Sequence, residues 1–156
     1  DLWDASHNND IASGAAPSVA EFGKIRAKLA AQTGPQGGYL AIPLYAVIVP
    51  EVLFHQAAQV AQSQSDPSKY NAAFNPFQGV AIASNARLDA DSATKYYGAG
   101  DPRMASGIEV AVLEDEPRPV VETEYRIETG DLYFHVRHSV AAAAIDWRAL
   151  VRNPGA

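Results

Sequence analysis

The stretch Glu122-Thr123-Glu124-Tyr125-Arg126-Ile127-Glu128-Thr129-Gly130-Asp131-Leu132-Tyr133-Phe134-His135-Val136-Arg137 decides how the second half of this chain is read. Thr123, Tyr125 and Ile127 alternate with Glu122, Glu124, Arg126 and Glu128. Leu132, Phe134 and Val136 then alternate with Tyr133, His135 and Arg137. Side chains point to opposite faces at successive strand positions, so a period of two predicts two strands. Gly130-Asp131 between them predicts a hairpin turn. The same period appears upstream from Gly107, in Ile108, Val110 and Val112. Downstream, Ala141 to Val151 supports two readings. Its alanines favour helix, while Ile145-Asp146-Trp147-Arg148 alternates as a strand does. The last residues, Asn153-Pro154-Gly155-Ala156, are irregular.

Working back toward the start, the period changes to that of helices. Ser18 followed by Glu21 has capping-box spacing. Val19, Phe22, Ile25 and Leu29 recur on one helical stripe, which predicts a helix over 18–33. Gly34 in a left-handed cap and Pro35 are expected to end it. Gly23 inside this helix costs about 1 kcal/mol relative to Ala, which suggests close packing there. Leu44 to Val49 is continuously apolar and suits a strand covered on both faces. Pro50 then introduces a second helix, Glu51 to Ser63, on the stripe Leu53, Phe54, Ala57, Val60 and Ala61. Ser65 to Gly79, with Asp66-Pro67 and Asn75-Pro76, reads as a loop. Val80–Ser84 and Tyr96-Tyr97 read as short strands, Asp101-Pro102 as a turn, and Asp1 to Pro17 as a looped lead-in. The residues therefore support an α/β or α+β domain, helix and strand mixed first and mainly strand afterwards. No segment marks a linker between independent domains.

Composition narrows the function. The 156 residues suit one domain with a real core. Cys is absent, which excludes disulfides, thiolate metal sites and a cysteine nucleophile, and fits synthesis in a reducing cytosol. A net charge of −6 argues against a nucleic-acid reader, which needs clustered Lys and Arg. No apolar run approaches the ~20 residues of a membrane span. The polar, acidic residues Asp1 to Asp10 are not a signal peptide. The chain starts at Asp1 rather than Met, and is expected to be a processed product or an excised piece.

Residue chemistry finds no catalytic, cofactor-binding or metal-binding set. His135 and His138 are three apart, which on a strand sends them to opposite faces and spoils chelation. Ser139 beside His138 is not a triad, because a triad is a matter of geometry. His7 is expected to cap a turn, and His55 to be a packed or surface residue. Glu114-Asp115-Glu116 with Arg118 lacks the alternating spacing and glycine of a calcium loop and reads as a solvated turn. Asp146-Trp147-Arg148 is expected to form a buried Asp–Arg pair against a packed indole, with a structural or interface role.

The order of motifs adds what no single motif does. Leu2-Trp3-Asp4-Ala5-Ser6-His7-Asn8 leads, and Ser18-Val19-Ala20 opens a helix. Val49-Pro50, Leu53 and Ala57 follow, then Asn75-Pro76-Phe77, Arg87-Leu88-Asp89, Ser92-Ala93-Thr94, Tyr96-Tyr97 and Asp101-Pro102. The chain closes on Ala143-Ala144-Ile145-Asp146-Trp147-Arg148-Ala149-Leu150 and Arg152-Asn153-Pro154-Gly155-Ala156. In this order the sequence resembles the C-terminal part of tailed-phage major capsid proteins. The resemblance is to the Mu-like major head subunit type, which in prophages often appears as a prohead-protease–capsid fusion.

The resemblance implies an α+β, Hong Kong 97-type capsid fold, with 1–156 supplying mainly the axial domain and the closing strands of the peripheral domain. The N-terminal arm, extended loop and spine helix would lie upstream. It implies a structural head-shell subunit of a phage or prophage, not an enzyme, without cofactor or metal. Its partners would be copies of itself in pentamers and hexamers, other head proteins, and packaged DNA enclosed without sequence-specific binding. Its place would be the virion, after synthesis in the bacterial host cytoplasm, with no membrane contact. Some relatives crosslink subunits through a Lys and an Asn, and the lysines of this sequence are Lys24, Lys28, Lys69 and Lys95. A prohead maturation peptidase is the alternative, and a small-ligand binding module a third reading.

Overall fold

Ser18 caps as its position predicts: its Oγ accepts a hydrogen bond from the Glu21 amide, and helix α1 (Val19–Ala30) starts behind it. The computed structural model describes residues 2–67, 69–70, 73–115 and 117–155. Phe22, Ile25 and Leu29 of α1 are fully buried, as the stripe requires. The helix stops at Ala30, short of the expected Thr33, and Gly34 is not a left-handed cap. Gln32 and Thr33 are used by a reverse loop instead. The Leu40 amide donates to the Gln32 carbonyl, Thr33 pairs with Tyr39, and Gly37 takes the positive φ of 81°. Gly23 is not a close-packing site either, since a methyl group there would meet nothing within 4 Å.

Strand β1 (Leu44–Val49) runs into Pro50 and helix α2 (Glu51–Gln62). Strand β2 (Ala81–Ser84) then pairs parallel to β1, with Ala46 opposite Ala81 and Val49 opposite Ser84. A short helix, α3 (Ala86–Asp91), follows; the composition there gives little periodicity, but Asn85 Oδ1 accepts from the Arg87 amide and caps it. Strand β3 (Tyr96–Gly100) pairs antiparallel to β1. The ambiguous segment 141–151 becomes three things: the end of a strand, a 3-10 turn at Trp147–Ala149, and strand β8 (Leu150–Asn153), antiparallel to β3. The sheet order is β2-β1-β3-β8.

The core lies between this sheet and α1 and α2. It contains Phe22, Ile25, Leu29, Val47, Val49, Val60, Tyr96 and Val151. Strand β1 is not covered equally on both faces: Val47 and Val49 are buried, whereas Ala46 and Ile48 on the other face are only half-buried. Close approach comes from β3, where a methyl group on Gly98 would sit 2.1 Å from Ile25 Cγ2 and one on Gly100 2.4 Å from Ile42 Cγ2. The lead-in is more than a loop. Residues 9–11 lie along β8, with the Ile11 amide donating to the Arg152 carbonyl and the Arg152 amide to the Asn9 carbonyl.

The chain forms two compact units, one of 1–107 with 145–156, the other 108–144. The described residues of the second form strands and the turns between them. β4 (Ile108–Val112) pairs with β7 (Val140–Ala144), and between them β5 (Val120–Arg126) pairs with β6 (Asp131–Arg137). The expected hairpin turn is present, with Gly130 at φ 74° and its amide donating to the Arg126 carbonyl.

Candidate assembly surface

The register of the ribbon sorts its side chains by face. Across β5 and β6, Val121 faces Val136, Thr123 faces Phe134, and Tyr125 faces Leu132. The opposite face carries Glu122 against His135, Glu124 against Tyr133, and Arg126 against Asp131. Across β4 and β7, Ile108, Val110 and Val112 lie opposite Ala144, Ala142 and Val140. One face of each ladder is thus apolar. The polar face is internally paired. Arg137 Nη2 is 3.5 Å from Glu122 Oε1, Arg126 Nε donates to Glu124 Oε1 at 3.1 Å, and the Arg126 guanidinium lies 4.6 Å over the Tyr133 ring.

The apolar face is open to solvent. Val121 and Val136 are each 61% exposed, Phe134 66%, and Tyr125 62%. Ion pairs on a solvated face contribute only about 0–1 kcal/mol each. An isolated two-stranded ribbon is at best marginally stable in water. A contiguous exposed apolar patch of this kind marks an interaction surface.

The four-stranded unit carries a second feature, a lock between the chain's two ends. Arg152 Nε donates to Asp10 Oδ1 at 3.0 Å, and Arg152 Nη2 donates to Asp10 Oδ2. That hydrogen-bonded pair holds the Asp10 carboxyl below the usual carboxylate range and raises Arg152. Arg152 also lies over Trp3, whose ring is 5.6 Å from that of Tyr97. Beneath them Glu21 is buried, accepting from the Asn153 side-chain amide at 2.8 Å and pairing with Lys24. Glu21 therefore turns inward and does not complete a reciprocal capping box. Burial, with Glu21 nearby, pushes the Tyr96 hydroxyl far up; it donates to the Ala15 carbonyl at 2.9 Å.

Asp146-Trp147-Arg148 forms its pair, but half-buried rather than buried, because it sits in a turn. Asp146 Oδ1 accepts from the Arg148 amide at 2.9 Å and from Arg148 Nη1 at 3.2 Å, capping the 3-10 turn. The indole of Trp147 is sandwiched, with His7 stacked at 4.2 Å and the Arg148 guanidinium 4.3 Å over the ring. His7 closes its own short 3-10 turn, Ala5–His7, so its role is packing. No local pattern of residues signals that His7 and Trp147 meet, since 140 positions separate them.

The remaining candidates do not converge. His55 is exposed on α2. His135 lies on the polar face opposite Glu122, whereas His138 and Ser139 line a shallow recess between β4 and β7. Among the described residues no three His, Asp or Glu side chains are grouped to hold a metal ion. No described helix is long and apolar enough to cross a membrane. Glu114 and Asp115 lie in an exposed turn, and Glu116 is outside the described residues. Lys95 Nζ pairs with Asp91 at 3.6 Å, and Lys28 donates to Asn8 Oδ1.

What the geometry offers is therefore a mixed sheet-and-helix unit locked at its termini, and an exposed two-faced ribbon. No curated protein and no solved structure matches the sequence. The family described as phage capsid protein matches residues 2–153, nearly the whole chain. The chain belongs to this phage capsid protein family.

Proposed function

We propose that this chain is part of the major head subunit of a tailed phage or prophage, of Mu-like type and with a Hong Kong 97-type fold. The four-stranded unit would serve as the axial domain and the ribbon as strands of the peripheral domain. The subunit self-assembles into pentamers and hexamers that, with other head proteins, enclose double-stranded DNA in the virion. It is made in the host cytoplasm and performs no catalysis. The observation that carries this reading is the family match across 2–153. The open apolar face of the ribbon supports it, because a shell subunit must present surfaces that only its neighbours cover.

The charge supports it as well. A net −6 wall confines DNA without gripping it, so the genome can leave again. The test is expression of the natural protein that carries this chain, followed by electron microscopy and velocity sedimentation. Closed shells or capsomer rings are expected, with no retardation of free DNA at physiological salt. Material that stays monomeric under assembly conditions would remove the shell role, and tight DNA retardation would remove the passive-wall reading.

A further inference from the structure

Residues 2–11 form a separable piece of the first unit. Residues 4–8 keep their own shape: Asp4 caps the 3-10 turn through the Ser6 amide, and Asn8 ends it in the left-handed region at φ 51°. The chain then runs parallel to β8 along the outer edge of the sheet. Arg152 exchanges two backbone hydrogen bonds there, its amide donating to the Asn9 carbonyl and its carbonyl accepting from the Ile11 amide. Ala12 and Ser13, which follow, are exposed. Directly after them the chain is anchored again. Gly14 has no room for a side chain against Asn153, and the Tyr96 hydroxyl donates to the Ala15 carbonyl. A docked segment, a hinge and an anchor thus follow one another.

What holds the segment is largely polar. Positions 2–11 carry Asp4 and Asp10 and neither Lys nor Arg. The surface beneath donates to them, Arg152 to the Asp10 carboxylate and Lys28 to Asn8 Oδ1. Of the segment's side chains only Asn9 and Ile11 are buried. Asn9 Nδ2 donates to the Leu2 and Trp147 carbonyls, but its Oδ1 accepts from no described group of the protein. A buried acceptor left unsatisfied weakens the docked state. One buried apolar side chain, two backbone bonds to the sheet edge and an exposed hinge are the marks of a segment that opens well below the cost of global unfolding.

We propose that residues 2–11 are a strap that opens as one piece about Ala12 and Ser13, and that the β8 edge beneath it is a docking site for an extended peptide with a carboxylate opposite Arg152 and an apolar residue next to it. The edge itself defines this occupant. Arg152 offers one amide, one carbonyl and a guanidinium fork to the same short stretch, so it selects extended backbone and a carboxylate together. An uncovered edge strand pairs readily with other chains, and the closed strap prevents that. An added peptide reaches the site only in molecules whose strap is open, which lowers its apparent affinity by that fraction. The site is independent of any role in a shell.

Native-state hydrogen exchange of the 156-residue chain tests the opening. The Ile11 and Arg152 amides should be protected at least about a hundredfold less than those of the β1–β3 ladder, and to the same extent as each other. Protection equal to that ladder would overturn the strap. A synthetic peptide of residues 2–11 tests the edge. In excess over wild type it should leave the Arg152 amide protected while the chain's own Ile11 amide loses protection, because the edge stays paired and the strap does not. Both amides responding alike would overturn the docking site. Fluorescence anisotropy of the labelled peptide supplies the second measurement. Trp3→Ala with Asp10→Asn loosens the strap and leaves the edge intact, so this chain should bind the peptide several-fold tighter than wild type. Adding Arg152→Gln to it, or Asp10→Asn to the peptide, should each weaken binding several-fold. Circular dichroism melts check that the variants fold, and Arg152→Lys, which keeps the charge and loses the fork, is the milder version. No binding to the loosened chain, or binding that neither change weakens, would also overturn the docking site.

Discussion

Asp10 and Arg152 stand 142 positions apart and make a two-point hydrogen-bonded pair. The guanidinium fork matches a carboxylate in a way a lysine cannot, so the pair fixes orientation as well as distance. It is partly exposed, and its energetic weight is modest accordingly. Its pH dependence has a definite sign. The folded state holds the Asp10 carboxyl below its ordinary value, chiefly through the Arg152 hydrogen bonds. The unfolded chain thus takes up this proton first as pH falls. The pair's contribution is complete above the ordinary carboxylate range and is lost as pH drops toward the folded value. Urea melts of wild type and Asp10→Asn should differ most near neutrality, with the gap closing in acid. A gap that stays constant from about pH 7 to about pH 3 would show that Asp10 acts by packing alone.

At the scale of elements, α1 is seated by what β3 lacks. Tyr96, Gly98 and Gly100 share the face toward the core, and Ile25 Cγ2 occupies the space beside Gly98. Gly98→Ala should destabilise by about 1–3 kcal/mol, the ordinary cost of overpacking. Gly23→Ala, with open space around it and helical backbone, should stabilise by up to about 1 kcal/mol. Chemical denaturation of the two variants checks the pair, and equal effects of one sign would contradict the seating. Sequence reasoning assigned close packing to Gly23 because a helix-interior glycine is conspicuous along the chain. Gly98 was invisible to it, since only the sheet order shows which strand glycine lies under a helix. The local features were legible for the converse reason. The Ser18 cap, the stripe of α1, and the alternation and Gly130 turn of 122–137 are all settled within a few residues. The stacking of His7 on Trp147 and the docking of 9–11 along β8 depend on partners distant in sequence. Alternation also told nothing of the cover: it set the apolar residues of the ribbon on one face, and that face proves to be open.

At the scale of the whole chain, the ribbon is an insertion whose ends meet. The Ile145 amide donates to the Gly107 carbonyl at 3.0 Å, so the chain leaves and re-enters the four-stranded unit at one point. The first unit is closed around that point. Gly107 approaches Ala149 and Leu150, β8 completes the sheet beside β3, and Asn153 reaches buried Glu21. None of these contacts uses a residue of 108–144. Replacing 108–144 by a two-residue Gly-containing turn should therefore leave a folded unit, since such a turn joins adjacent antiparallel ends. The shortened chain should keep the near-ultraviolet signature of packed Tyr96 and a single cooperative melt. It should also lose nearly all the acidic excess, since 108–144 carry eight carboxylates against three arginines, a net −5, which leaves −1 in place of −6. The reverse experiment has the opposite outcome. Residues 108–144 alone form only two-stranded ladders with their apolar side chains in water, and should give neither a cooperative melt nor slow amide exchange. A shortened chain that fails to fold would mean that the ribbon stabilises the first unit through contacts formed in solution. That result would make the two units one cooperative body and remove the division of labour between a self-sufficient scaffold and a surface completed by its neighbours.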